Sequence, residues 1–145
     1  MIRRLLAAAS IAASLAACGA RDATPAPTVE PVVVTFEVDG DERFRALIID
    51  PAKMDIARRL LAGQDAPGIP TSRIVHRTAV NTGYTWSLDP VDLSFIDETD
   101  ESCDGSPSDV EDGSLTGDRY CPSGAVVVAI DPVPGEPTPS PPSGS

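Results

Sequence analysis

The sequence predicts an α+β domain, with a small antiparallel β-sheet, one amphipathic helix and one disulfide. Three observations lead to this fold class. Short β-branched runs are separated by turn residues, as in antiparallel strands. One amphipathic segment follows an Asp-Pro pair, and two cysteines lie in the second half of the chain. Such a mixture favours a sheet that packs against a helix, and we place the domain at residues 32–131.

A β-hairpin opens the domain. Val32–Val38 is rich in β-branched residues, which favour strands. Asp39 and Gly40 then supply the turn residues that are typical of a tight hairpin. A second strand is therefore predicted at residues 43–49.

The helix is predicted to follow this hairpin directly. Asp50 can cap the free amides of a helix start, and Pro51 suits the first helical position. Gly63 is placed to end the helix. The apolar side of the segment comprises Met54, Ile56, Ala57, Leu60 and Leu61, which predicts packing on the sheet.

The remaining strands are predicted from apolar runs between turns. They lie at residues 73–80, 84–88, 91–96 and 125–130. The last of these runs is continuously apolar, so we predict a buried strand there. Residues 104–118 are predicted to be irregular.

The amino-terminal segment has the pattern of a secretory signal at residues 1–17. Arg3 and Arg4 precede an apolar run of thirteen residues, which is shorter than the roughly 20 needed to span a bilayer. The run ends in Leu-Ala-Ala-Cys-Gly, which resembles the bacterial lipobox. That resemblance implies cleavage before Cys18 and lipid attachment to its thiol. We therefore expect an extracytoplasmic lipoprotein of the cell envelope, on the periplasmic side or the cell surface.

Two Pro-rich segments flank the predicted domain. Residues 18–31 would form a tether between the lipidated cysteine and the domain, and residues 132–145 a disordered Pro/Ser-rich tail. Loss of Arg3 and Arg4 leaves nine basic and 22 acidic residues, a formal net charge of −13. Such a charge disfavours nucleic-acid binding, and the expected partner is the membrane, through the lipid. A protein partner is also possible.

The cysteines predict one disulfide. If Cys18 carries lipid, Cys103 and Cys121 remain in an oxidising compartment, where pairing is the default. A reactive thiolate or a metal-binding pair is the alternative. The chain has a single histidine, His76, and no CxxC motif, and these features favour the disulfide.

The acidic run at residues 97–118 contains nine carboxylates and neither Lys nor Arg. Within it, the spacing of a calcium loop is matched by Asp100, Ser102, Asp104, Gly105 and Glu111. Pro107 and Cys103 do not suit such a loop, and no flanking helices are evident. We therefore assign no metal and no cofactor, and calcium binding at 100–111 stays an alternative to a solvated acidic loop.

The third motif is an aromatic turn, Asn81-Thr82-Gly83-Tyr84-Thr85-Trp86. Aromatic side chains at a loop tip are frequent binding anchors, whereas the only tryptophan of a small domain often lies in the core. The turn resembles the N-P-T-T-G-Y-x-W loop of chagasin-type cysteine-peptidase inhibitors, without the Pro and one Thr. That resemblance implies a peptidase inhibitor whose turn enters the protease cleft. The possible binding residues are Asn81, Thr82, Gly83, Tyr84 and Trp86.

Several segments between residues 34 and 130 share a second resemblance. They are Phe44–Pro51, Arg73–Val75, Tyr84–Pro90, Cys103–Glu111 and Tyr120–Pro122, of which the Trp-Ser…Asp-Pro and Cys-Asp-Gly segments are the most specific. In this order they are similar to the BP-seventy-four N-terminal-like domain, a small exported domain. The resemblance implies a disulfide-closed domain and transfers no catalytic residues.

The catalytic inventory is thin, so we do not expect an enzyme. His76 alternates with its neighbours in a predicted strand, which is typical of a residue on a strand face. No nucleophile elbow, P-loop or dinucleotide fingerprint occurs. The expected function is therefore a membrane-anchored, non-catalytic binding or structural domain.

Overall fold

A computed structural model of the chain describes residues 28–76 and 80–135. The predicted signal, Cys18, most of the tether and the tail after residue 135 lie outside the described residues. In chain order the elements are β1 Val32–Val38, β2 Glu42–Ile48, α1 Pro51–Leu61, β3 Ile69–Val75, β4 Ser87–Leu88, β5 Ser94–Ile96, α2 Pro107–Asp112, β6 Arg119–Tyr120 and β7 Ala125–Pro132. All strand pairs are antiparallel, which confirms the α+β class.

The strands form two small sheets. The first has the order β2-β1-β7. In the second, β3 pairs along its length with β5, then β6, then β4. The prediction of a single sheet was therefore wrong, because three strands of only two or three residues each pair with a different stretch of β3.

The β1–β2 hairpin has the predicted turn. Asp39 and Gly40 have φ angles of 52° and 75°, the left-handed pair that a tight hairpin turn needs. The turn fixes a register in which Phe36 lies opposite Phe44, with ring centroids 5.1 Å apart. One face of this hairpin therefore carries the start of the aromatic core.

Helix α1 also begins and ends as predicted. Asp50 Oδ1 accepts a hydrogen bond from the backbone N–H of Ala52 at 2.8 Å, and Pro51 lies in the first turn. Gly63, just after the helix, has φ 71°, where a side chain would be strained. Met54 and Ala57 are fully buried and fix the helix against the core.

A second helix, α2, replaces part of the segment predicted to be irregular. Its start is stabilised by Asp109, whose carboxylate accepts hydrogen bonds from the backbone N–H and the hydroxyl of Ser106, both at 2.8 Å. Pro107 occupies the first turn, and Gly113 ends the helix with φ 81°. The prediction of one helix was therefore wrong, since α2 is a second one. The Ser-Pro-x-Asp pattern at its start is a helix-start signal.

Four strand predictions also differ from the structure. Only the last residues of the strands predicted at 84–88 and 91–96 are in strands, as β4 and β5. β3 begins at Ile69, four residues before the predicted start, because Pro70 is tolerated near its end. β7 matches the predicted segment but is half exposed, with Val126 56% and Val128 36% accessible. As the edge of the first sheet, β7 buries mainly one face, so its apolar run did not mean full burial.

One apolar core joins both sheets and α1. Its largest members are aromatic: Phe36, Phe44, Trp86, Phe95 and Tyr120. Between residues 28 and 76 and between 80 and 135, no helix has the length and apolar character that crossing a membrane requires.

Asp92, in the turn before β5, ties β3 to β6 in the second sheet, and this contact predicts an acid-sensitive stability. Its Oδ2 accepts from the backbone N–H of Arg73 and from the guanidinium of Arg119, each at 2.8 Å. The Arg73 N–H, followed by the charge of Arg119, lowers the pKa of Asp92. Ionised Asp92 therefore stabilises the fold above its unfolded pKa of about 3.9, and this contribution is lost as pH falls through the folded pKa.

We predict that Asp92→Asn lowers the free energy of unfolding at pH 7 by about 1 kcal/mol. The gap to the wild type should shrink as the pH falls below about 4. Urea titrations at several pH values measure it. Asp55→Asn, an exposed change on α1, controls for the lost charge, and a gap that stays constant down to pH 2 would contradict the role of Asp92.

Candidate binding site in the loop of residues 81 to 86

The aromatic turn is closed by the buried side chain of Asn81. Its Oδ1 accepts a hydrogen bond from the backbone N–H of Arg45 in β2, and its Nδ2 donates to the carbonyl of Trp86, both at 2.9 Å. Asn81 is 1% exposed. The Asn81 side chain thus links the two ends of the loop and provides an acceptor for the backbone N–H of Arg45 at the edge of the first sheet.

Trp86 belongs to the core. It is 1% exposed, and its ring lies 5.4 Å from that of Tyr120 and 5.8 Å from that of Phe44. Its Nε1 is buried without a hydrogen-bond partner within the described part of the chain. The indole is therefore positioned to fill the core and is not presented to solvent as a binding anchor.

The tip of the loop is exposed and braced on both sides. Thr82 and Gly83 are exposed, and the Thr82 hydroxyl accepts from the Arg45 guanidinium at 3.2 Å. On the other side, the backbone N–H and the hydroxyl of Thr85 donate to the Glu111 carboxylate, at 2.9 and 3.2 Å. These contacts hold the tip in one shape.

Tyr84 lies between the tip and the core. Its ring centroid is 5.4 Å from that of Trp86, and its hydroxyl donates to the Glu42 carboxylate at 3.4 Å. Partial burial, and then the negative charge of Glu42, raises the pKa of Tyr84. Of the five predicted residues, Thr82, Gly83 and one side of Tyr84 are therefore available to a partner.

The bracing role of Asn81 gives a testable prediction. Asn81→Ala leaves the Arg45 N–H and the Trp86 carbonyl without partners in a buried place, so we expect a loss of about 2 kcal/mol of unfolding free energy. Thr82→Ala, at the exposed neighbour, should cost less than about 0.5 kcal/mol. Equal urea midpoints for the two variants would show that Asn81 does not hold the loop.

The predicted disulfide is confirmed. Cys103 and Cys121 are bonded, with Cα atoms 5.1 Å apart, and the backbone N–H of Cys121 donates to the Cys103 carbonyl at 2.7 Å. Both residues are buried. Neither cysteine of the described residues is therefore a free thiolate or a metal ligand.

The bridge is joined to the core by Tyr120. The Tyr120 hydroxyl donates to the Gly105 carbonyl at 3.0 Å, inside the loop that the disulfide closes. Burial raises the pKa of Tyr120 far above its ordinary value. The hydroxyl therefore stays neutral and keeps its role as a donor.

The side chains with calcium-loop spacing form hydrogen bonds with other residues of the protein. Asp100 accepts from the backbone N–H of Ser102 at 2.8 Å, which lowers the pKa of Asp100. Asp104 accepts from the backbone and hydroxyl of Ser123, at 2.8 and 2.7 Å, whereas Glu111 is turned toward Thr85. No group of three or more His, Cys, Asp or Glu in residues 28–76 and 80–135 is arranged to hold a metal ion.

His76 lies one residue beyond β3 and is exposed.

The braces from Arg45, Glu42 and Glu111 were missed by sequence reasoning. Arg45 and Asn81 are 36 residues apart in the sequence. Glu42 accepts a hydrogen bond from the hydroxyl of Ser108, which is 66 residues away. No local pattern could reveal such pairs.

The fold and the loop define the class: a small α+β domain closed by one buried disulfide, with a braced polar loop at one edge of its first sheet. The family model described as the BP-seventy-four N-terminal domain matches residues 30–134. The chain belongs to this family, which confirms the resemblance seen in the sequence. No curated protein and no solved structure matches the chain.

Proposed function

We propose that this chain is an extracytoplasmic lipoprotein, cut before Cys18 and held at a membrane by lipid on that cysteine. Its folded part acts as a non-catalytic binding or structural domain. The family suggests a non-catalytic domain of a surface protein. The observation that carries the proposal is the buried Cys103–Cys121 disulfide, because structural disulfides persist in exported proteins and are rare in the cytosol.

The charge of the chain makes the lipid necessary. A formal net charge of −13 for the predicted mature chain is repelled by anionic headgroups. Two or more acyl chains hold a protein firmly, whereas one gives only marginal binding. The membrane is thus the proposed partner through the anchor, and nucleic acid is disfavoured by the same charge.

Fractionation of cells tests the anchor. We expect the wild-type chain in the membrane fraction, released only by detergent, and the Cys18→Ser variant outside that fraction. The double variant Cys103→Ala, Cys121→Ala also replaces cysteines but keeps Cys18 and its anchor, so it should remain membrane-bound. Release of wild type and Cys18→Ser without detergent in equal amounts would reject the anchor.

A second candidate function is peptidase inhibition by the loop of residues 81–86. The observation in its favour is the exposed Thr82–Gly83 tip on a stem fixed by Asn81 and Glu111. Papain-like proteases should then be blocked at micromolar concentrations, and Thr82→Glu should abolish the effect. An uninhibited protease at those concentrations removes this candidate.

A further inference from the structure

A polar pocket lies on the outer face of the first sheet, beside the loop of residues 81–86. Its volume is 380 Å³. Thr35 in β1 is paired with Arg45 in β2 and Ala129 in β7, so these residues form one row across the sheet. Phe36 and Phe44 point to the core side, and the row faces away from it. Thr82 and Val128 also line the pocket.

Arg45 supplies an uncommitted positive charge to this pocket. The two ion pairs between described residues are Arg43–Glu37 and Arg119–Asp92. Among the described residues, the side chain of Arg45 makes one hydrogen bond, which it donates to the Thr82 hydroxyl. A guanidinium has five N–H donors, so several remain available for a carboxylate, which Arg binds well in a bidentate manner.

Thr35 offers a second polar group to a ligand in this pocket. It is 9% exposed and lines the floor of the pocket. Its hydroxyl makes no hydrogen bond to any described residue and is not among the polar side-chain atoms that are buried without a partner, so it is open to a group in the pocket. A polar group in the pocket would satisfy it.

The opposite rim carries a negative charge. Asp131 in β7 is paired with Val33, so it lies on the same face as Thr35, two residues along the strand. With ordinary strand spacings, its Cα is about 12 Å from that of Arg45. Side chains reduce this gap to about the length of a short peptide. The exposed side chain of Val128, next to Ala129 in β7, adds an apolar surface to the same pocket.

We propose that this pocket binds a small zwitterion of dipeptide size. Its carboxylate lies on Arg45, its ammonium group on Asp131, and a polar group of its backbone on the Thr35 hydroxyl. The inference rests on the binding role proposed above and gives it a ligand class. It uses neither the lipid anchor nor insertion of the loop tip into a protease.

Titration of the purified, detergent-solubilised chain with L-alanyl-L-alanine tests the proposal, read by amide NMR shifts. We expect saturable shifts centred on Thr35, Arg45 and Thr82. Arg45→Gln and Thr35→Val should each weaken binding about tenfold, the effect of one charged or buried hydrogen bond. Arg59→Gln, an equal charge change at another exposed position of α1, should bind like the wild type.

Modified peptides separate the two charges. The carboxyl-amidated peptide should lose the Arg45 contribution, and the N-acetylated peptide should lose that of Asp131. Absence of localised shifts at millimolar peptide, or equal affinity of wild type and Arg45→Gln in a variant with an unchanged spectrum, overturns the proposal. Failure here with the chain still detergent-extracted from membranes would refute the pocket alone and leave the anchor intact.

Discussion

Replacing Phe44 by Ala should lower the free energy of unfolding by about 3–5 kcal/mol. Phe44 is 1% exposed, and its ring centroid lies 5.1 Å from that of Phe36, 5.8 Å from Trp86 and 5.4 Å from Tyr120. Truncation removes these contacts at once and leaves a cavity where both sheets meet. Urea unfolding followed by far-ultraviolet circular dichroism measures the loss.

Two further variants control this experiment. Phe44→Leu keeps most of the volume and should lose less than Phe44→Ala. Val91→Ala changes a side chain that is 82% exposed, so it should stay within about 0.5 kcal/mol of the wild type. A Phe44→Ala variant that unfolds at the same urea concentration as Val91→Ala would show that the aromatic cluster does not stabilise the domain.

Removal of the disulfide should have the next largest effect. The bond joins residues 18 positions apart, and a loop of that length stabilises a fold by about 3 kcal/mol in the chain-entropy estimate. Total stabilities of small domains are about 5–15 kcal/mol, so the loss is a large fraction. The variant Cys103→Ala, Cys121→Ala should therefore melt well below the wild type.

The reduced wild type provides the matched comparison. Treatment with dithiothreitol should lower its melting temperature as the double variant does, and should not affect the double variant itself. Ser114→Ala, an exposed change in the same loop, should alter stability by less than about 0.5 kcal/mol. An unchanged melting temperature after complete reduction would contradict a structural role for the bond.

Local signals in the sequence were enough for the first half of the fold. Asp39-Gly40 specifies its turn through positive φ angles, and Asp50-Pro51 specifies a helix start through capping. Both depend on neighbouring residues only. The pairing of Cys103 with Cys121 could also be predicted, because lipid on Cys18 would leave no other pair.

The second half of the fold depends on distant contacts. Which part of β3 pairs with β4, β5 or β6 is decided by packing around Trp86 and Tyr120, so strands of two residues cannot be located from the sequence. α2 was missed although Ser106 and Asp109 carried a readable signal. The acidic residues around it are equally typical of a solvated or metal-binding loop.

The candidate site was predicted only in part. The sequence located the loop of residues 81–86 but not which side chains point outward. Asn81 and Trp86 turn inward because the core and the edge of β2 offer them better partners than water does. The pocket at Thr35 and Arg45 could not be foreseen, since it depends on strand order and on the loop folding over β2.

The most direct test of a lipid-anchored, disulfide-closed domain is the intact mass of the chain extracted from membranes without reduction. We predict a polypeptide of residues 18–145, heavier by a diacylglyceryl group and any further acyl chain, and lighter by two hydrogens for the Cys103–Cys121 bond. A chain that begins at another residue, or one that carries no acyl mass, would contradict the proposed anchor.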